Sequence, residues 1–259
     1  MRHGLRSRSV LVVGGGSGIG RGVVEAYVRA GARVTVLERS AQHIEDLARG
    51  LDGVPVTTVE GDATDPAAVE RAVHSACADG PLTNVTSCVG IFDSYASLRD
   101  LPAGDLPLAA QEIWRANVLT ALLAASVSFP HLRESHGSLT LTLSESAFGA
   151  RGGGVLYGSS KWALRGVVTH LARDFAPEVR VNGVAPGGTT GTRLAGLRSL
   201  GHDLPAAEVP GRDDRIRAGN ALQVLPGPED HAAAYLYLAD PNAARVVTGI
   251  VINTDGGSI

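Results

Sequence analysis

The chain has 259 residues, 44% of them hydrophobic, and a formal charge of -3 from 23 basic and 26 acidic side chains. This near balance gives no electrostatic reason to expect nucleic acid or an anionic membrane as partner, and the length suits one substantial core. Cys77 and Cys88 are too few and too far apart for a disulfide scaffold or a zinc module, and the apolar run Leu119 to Phe129 is too short to span a bilayer. The basic opening with Arg2, Arg6 and Arg8 lacks the apolar stretch of a secretory signal, so the expectation is a soluble cytoplasmic protein with a small-molecule partner and no metal.

Ser9 to Val13 is short and valine-rich, as a buried parallel strand is. The run Gly14, Gly15, Gly16, Ser17, Gly18, Ile19, Gly20 follows at once, and a helix is expected from Gly18 to Ala30. Arg33 to Leu37 and Ala41 to Arg49 repeat the strand and helix, and Val56 to Glu60 opens a third unit with a helix at Pro66 to Ala78. Further strands are expected at Leu82 to Ser87, Ser138 to Ser144, Val179 to Val184 and Ile250 to Asn253. Helices are expected at Leu108 to Phe129, Leu156 to Asp174 and Pro228 to Leu238. Seven strands alternating with helices predict an α/β fold of Rossmann type, a doubly wound parallel seven-stranded sheet with helices on both faces, in a single domain over 1–259. The stretch Thr189 to Pro226 departs from this rhythm, being long, rich in Gly, Pro and charge, and broken near Pro205 and Pro210. It reads either as a surface insertion or as a mobile lobe closing over a pocket.

Between the first strand and helix, Gly14 permits a tight turn, and Gly18 and Gly20 remove side chains where backbone and pyrophosphate would meet. Glu38 ends the second strand, where its carboxylate would bind the adenosine ribose hydroxyls and repel the 2'-phosphate of NADP, which favours NAD. Arg39 is the counterweight, because a guanidinium there would accept that phosphate. Asp62 ends the third strand and is placed for the adenine amino group, Asp65 being better sited to cap the next helix. Ser144 lies thirteen residues before Tyr157, with Ser146 competing for any role, and Lys161 follows Tyr157 by one helical turn. A phenol and an ammonium on one helix face suit proton transfer at a substrate oxygen, and Ser144 would steady developing charge there.

With Gly14 to Gly20, Asp62, Asn117, Ser144, Tyr157, Lys161, Val181 to Gly187 and Asp255-Gly256-Gly257 in order, nearly the whole chain resembles the short-chain dehydrogenase/reductase family. The resemblance implies a relay in which Tyr157 is the base in alcohol oxidation, Lys161 lowers the phenol pKa and holds the nicotinamide ribose, and Ser144 orients the substrate. It also implies that Asn117 retains a water linking the lysine to solvent. Cofactor contacts then fall to Gly14, Ser17, Gly18, Ile19, Gly20, Glu38, Arg39, Asp62, Ala63, Cys88, Val89, Gly90, Tyr157, Lys161, Pro186, Gly187 and Thr189. Gly191 stands where the family has threonine, which leaves Thr190 or Thr192 for the carboxamide. Val13 and Ser87-Cys88-Val89-Gly90 replace residues whose hydrogen bonds brace neighbouring strands, and Cys88 reads as packing beside the cofactor rather than as a redox group.

A narrower likeness is to the bacterial cis-dihydrodiol dehydrogenases of aromatic-ring degradation. It rests on Val36-Leu37-Glu38-Arg39-Ser40, Gly90-Ile91-Phe92-Asp93, Gly152-Gly153-Gly154-Val155-Leu156-Tyr157, Phe175-Ala176-Pro177 and Val179-Arg180-Val181-Asn182-Gly183. It implies NAD-dependent oxidation of a cyclohexadiene cis-diol to a catechol. Phe92, Phe148 and residues of the 189–226 insertion would line an apolar slot for the ring, with core packing as the competing role for each aromatic. Glu145, if it faces inward, would disfavour an anionic substrate and bind a diol hydroxyl. Two other functions remain open at this stage: an NAD(P)-dependent alcohol dehydrogenase or ketoreductase for a sugar, steroid or acyl substrate, and a non-catalytic nucleotide-binding module. The intact Ser144, Tyr157 and Lys161 argue against the second. The family's habit of pairing long middle helices implies a homotetramer, which the apolar stretch Ala116 to Phe129 permits.

Overall fold

A computed structural model of the chain describes residues 4–51, 53–202 and 208–258. The strands β1 (Ser9–Val13), β2 (Arg33–Glu38), β3 (Thr57–Glu60), β4 (Leu82–Ser87), β5 (Ser138–Thr142), β6 (Arg180–Pro186) and β7 (Val251–Thr254) form one sheet. Its order is β3-β2-β1-β4-β5-β6-β7, and every pairing is parallel. The chain winds outward from β1 to β3 and then returns to place β4 on the other side of β1. The strand ends therefore part between β1 and β4, where an open α/β sheet forms its crevice.

Helices α1 (Gly18–Arg29), α2 (Ala41–Gly50), α3 (Pro66–Cys77), α4 (Leu106–Trp114), α5 (Thr120–Ser135), α6 (Val155–Asp174), α7 (Arg212–Gly219) and α8 (Ala232–Ala239) connect the strands. The sheet has helices on both faces, so β1 is buried along its whole length and its sequence needs no polar alternation. Leu11 and Val13 pack with α3, α5 and α6 on one face, while Val10 and Val12 pack with α1 and α8 on the other. A third apolar cluster sits beyond the strand ends and contains Ile91, Phe92, Ile113, Leu156, Tyr157 and Leu197.

The bracing lost at Val13 and Cys88 is supplied elsewhere. The buried Tyr27 hydroxyl donates to Asn84 Oδ1 at 3.1 Å and meets Thr86 Oγ1 at 2.9 Å. Thr142 Oγ1 donates to Cys88 Sγ at 3.3 Å and meets the Tyr235 hydroxyl at 2.8 Å.

Three expected elements are redrawn. The single helix expected over Leu108 to Phe129 is two α-helices joined by a π-turn, Arg115–Leu119, and α5 runs on through Pro130 to Ser135. β5 stops at Thr142, so Ser144 instead opens the 3-10 turn Glu145–Ala147, with its hydroxyl accepting the Ser146 N–H at 3.2 Å. The 189–226 stretch holds a 3-10 turn at Arg198–Leu200 and α7, which begins two residues after Pro210; Pro205 lies outside the described residues. Among the described residues no helix is long and apolar enough to cross a membrane.

Candidate active site

A cleft follows the crevice from the Gly14 turn to Tyr157. Gly14 has φ +78°, a conformation open to glycine, and a side chain on Gly20 would overlap the Gly14 carbonyl. The chain thus turns straight from β1 into α1, and the first turn of α1 faces the cleft. Ser17, at the N-cap position, makes no side-chain bond to that turn, so its N–H groups are left for a ligand.

At the outer end of the cleft the Glu38 carboxylate accepts main-chain N–H bonds from Gly16 at 3.1 Å, Arg39 at 2.9 Å and Ser40 at 3.1 Å. His43 Nδ1 lies 3.5 Å away. The carboxylate is thereby fixed in position, and Asp62 is fixed likewise by the Thr64 N–H at 2.8 Å. Burial pushes the Asp62 pKa up, but the Thr64 bonds with Arg39 and Arg115 outweigh it, so the carboxyl stays below its usual range. Uncapped helix amides between two anchored carboxylates and a reactive pair fit a nicotinamide dinucleotide. When bound, such a group supplies a hydride acceptor or donor, a chemistry no side chain possesses.

At the inner end Tyr157 and Lys161 lie one turn apart on α6, and Lys161 Nζ is 5.6 Å from the Tyr157 ring centroid. Lys161 Nζ donates to the Thr142 carbonyl at 3.2 Å. Burial lifts the Tyr157 pKa to about 12, against the pull of the nearby Ser144 hydroxyl, with the Glu145 and Asp93 charges adding to the rise. Burial also lowers Lys161 to about 8, opposed by Cys88. The Cys88 thiol is raised by burial to about 11, so it is not a reactive thiolate.

Two buried polar side chains hold this end together. Asn117, in the π-turn, accepts the Ile91 N–H at 2.8 Å and donates to the Ile91 carbonyl at 3.1 Å and to Ser160 Oγ at 2.9 Å. It therefore ties the segment after β4 to α6. Asp93 is fully buried, and its carboxylate accepts N–H bonds from Gly154 at 2.8 Å and Tyr157 at 2.9 Å, with Tyr95 at 3.3 Å. An acidic side chain thus caps the helix that carries Tyr157. Sequence reading gave Asp93 no role, because it meets its helix 61 residues later in the chain. His231 was also missed: buried in the turn before α8, it bridges Thr189 Oγ1 at 2.9 Å and Thr254 Oγ1 at 2.8 Å.

The cleft brings together all the expected cofactor residues except Thr190, and it gathers Ser144, Tyr157 and Lys161 at one end. Thr190 turns away, donating to Asp213 Oδ2 at 3.3 Å, whereas Thr189 and Thr192 remain along the cleft. Three expected substrate residues lie elsewhere. Phe92 packs behind Tyr157, with centroids 5.4 Å apart and planes at 83°. Phe148 packs against the main core with the Arg165 guanidinium 4.4 Å from its centroid. Glu145 is buried against the C-terminal segment, where its carboxylate accepts from the Ser258 hydroxyl, which also bonds Asp255 Oδ2 at 3.2 Å. Burial and the Asp255 charge raise its pKa, Ser258 and Arg151 opposing. Ile91 lines the cleft instead, together with Leu194, Ala195 and Arg212 of the 189–226 insertion, which was expected to contribute lining without these residues being singled out.

The parallel sheet, the helix amides at its crevice and the Ser144, Tyr157 and Lys161 end together define a nicotinamide-dependent dehydrogenase. The chain belongs to the short-chain dehydrogenase family, whose model matches residues 8–200, and it is an NAD(P)-dependent oxidoreductase of that family. It is 37% identical over 257 residues to cis-1,2-dihydrobenzene-1,2-diol dehydrogenase of Pseudomonas putida, covering 98% of this chain and 92% of that protein. It is 38% identical over 254 residues to 3-phenylpropionate-dihydrodiol/cinnamic acid-dihydrodiol dehydrogenase of Escherichia coli, covering 98% and 93%. Among solved structures, a short-chain dehydrogenase/reductase from Serratia marcescens superposes with TM-score 0.83 at 27% identity, covering 99% of both chains. NAD use is typical of this branch of the family.

Proposed function

We propose that the protein oxidises a cis-diol on a cyclohexadiene ring to the corresponding catechol, with NAD rather than NADP as hydride acceptor. The observation that carries this reading is the meeting of Ser144, Tyr157 and Lys161 with the apolar side chains of Ile91, Leu194 and Ala195 at one end of the cleft. The likeness to enzymes named for a benzene diol and for a phenylpropionate diol supports it. Ser144 hydrogen-bonds one diol oxygen and Tyr157, as phenolate, takes its proton. A bound nicotinamide would supply the acceptor for the C–H electron pair as hydride, and the carbinol carbon would become a ketone. The keto-alcohol then tautomerises to the catechol, so the balance is diol plus NAD⁺ giving catechol, NADH and one proton. Aromatisation drives the reaction forward.

Lys161 holds the nicotinamide ribose and favours the phenolate by its charge. Asn117 acts as a positioning residue through Ile91 and Ser160. The fixed Glu38 carboxylate meets the ribose hydroxyls and repels a 2'-phosphate. The described part of the 189–226 insertion that lines the cleft, Thr189, Thr192, Arg193, Leu194, Ala195 and Arg212, covers the substrate, and exposed Trp114, Leu122 and Trp162 on α4 to α6 supply apolar surface for a homotetramer. The deciding experiment incubates the protein with NAD and a panel of neutral and carboxylated cis-dihydrodiols, secondary alcohols and sugars, following NADH. Catechol-forming turnover of a diol is expected, and turnover confined to simple alcohols or sugars overturns the reading.

A further inference from the structure

Charge is unevenly distributed along the cleft. Its carboxylates, Glu38 and Asp62, stand at the adenosine end and are occupied by main-chain N–H groups. Beyond them the cationic side chains lining the cleft include Lys161, Arg193 and Arg212, and Arg193 is already paired with Asp46 on α2 at 3.1 Å. The nearby acids face elsewhere: Asp93 caps α6, Glu145 is held by Ser258, and Asp213 accepts from Thr190 on the exposed side. Glu145 does not line the cleft, so it does not meet a substrate there directly.

Arg212 is built into its place. Its Nη1 donates to the Thr189 carbonyl at 2.8 Å, which fixes the guanidinium at the rim of the cleft. Ile216, one turn further along α7, packs so closely on Gly188 that a Cβ there would come within 2.6 Å of Ile216 Cγ1. Among the described residues Arg212 takes part in no ion pair, although it is only partly exposed. Burial lowers its pKa, with Arg215 adding to the fall and Tyr95, Asp213 and Tyr157 opposing it. Lys161 is committed to Thr142 and to the proton relay; the remaining guanidinium N–H donors of Arg212 are not. A planar fork of donors in a partly dry site is suited to a carboxylate, which it can meet through two parallel bonds.

We infer that Arg212 is a specificity-determining residue that receives a carboxylate carried by the substrate. Resting on the proposed reaction, this makes the diol an anionic one, with a carboxylate on its ring or side chain. The diol oxygens face Ser144 and Tyr157, the ring lies against Ile91, Leu194 and Ala195, and the acid group reaches Arg212.

Two measurements test the assignment. The first compares kcat/KM for a carboxylated and a neutral cis-dihydrodiol in the wild type and in Arg212→Gln. Loss of a charge-assisted pair should lower the ratio of the two by about 10- to 100-fold. Equal losses on both substrates, or a raised KM for NAD with an unchanged ratio, overturn the proposal, because Arg212 would then serve only the Thr189 loop or the cofactor. The second titrates the NAD complex calorimetrically with 3-phenylpropionate and with its uncharged amide, and needs no turnover. The carboxylate should bind more tightly to the wild type, and Arg212→Gln should abolish that preference; equal binding by the wild type overturns the proposal. If no diol is oxidised while this preference and its loss both hold, the diol reading falls and the Arg212 assignment stands.

Discussion

The two ends of the cleft are held by different means. At the adenosine end the binding groups are largely main chain: the turn at Gly14, the first amides of α1, and a Glu38 carboxylate gripped by N–H groups that include those of Arg39 and Ser40, its immediate neighbours. At the reactive end the two buried clamps act across long stretches of sequence, Asn117 across 26 residues to Ile91 and Asp93 across 64 to Tyr157. Nucleotide recognition is therefore a local property of short segments. Positioning of the base depends on tertiary structure.

Perturbations should separate the two ends, beginning with the largest effect. Tyr157→Phe removes the proposed proton acceptor and leaves the glycine turn untouched. It should lower kcat by about 10²- to 10⁴-fold with NAD affinity retained, as read by steady-state kinetics beside NAD titration. Asp93→Ala strips N–H partners from the start of α6 and should lower kcat by about 10²-fold through displacement of Tyr157. It should also cost about 1–2 kcal/mol in chemical denaturation, with the KM for NAD changed little. If kcat survives the loss of stability, the long-range hold on the base is not needed for catalysis.

Glu38→Ala acts at the other end. It should raise the KM for NAD by about tenfold or more and narrow the discrimination against NADP, with Arg39 free to meet the extra phosphate, while kcat at saturating NAD changes little.

The smallest effect concerns pH. Burial lowers the His231 pKa below its ordinary value, so the unfolded chain binds this proton in preference to the folded one. Its contribution to stability is present above the ordinary imidazole range and is lost as pH falls through it. His231→Asn should therefore flatten the acid side of a melting-temperature profile. For catalysis the sign is different: a Tyr157 phenol raised to about 12 stays protonated at neutral pH, so the oxidation rate should climb with pH.

How much could be read from the sequence follows the same division. The seven strands and the nucleotide-binding turn were legible because period, valine content and glycine position are local signals, and Tyr157 with Lys161 was legible because one helical turn fixes their shared face. The π-turn at Arg115–Leu119 was not, since nothing in the apolar run Ala116 to Phe129 marks a widened turn, and its reason lies in Asn117 reaching Ile91. Phe148 and Phe92 were expected at the substrate by their chemistry, but burial among neighbouring side chains decided their places. Glu145 follows Ser144 directly, yet the 3-10 turn there rotates it toward Ser258. Arg212 lacked any signal, because its value depends on α7 folding back over Thr189.

One feature of Asn117 and Asp93 has a bearing on how such an enzyme diversifies. Both grip backbone groups, Ile91 in one case and Gly154 and Tyr157 in the other, and Ser160 is the one side chain that Asn117 also holds. A peptide group is the same whatever residue carries it. The side chains of Ile91, Leu194 and Ala195 are thus free to vary, by drift or by directed evolution, while the clamps that aim the phenol stay in force. Such a scaffold can acquire new substrates without first rebuilding its catalytic machinery.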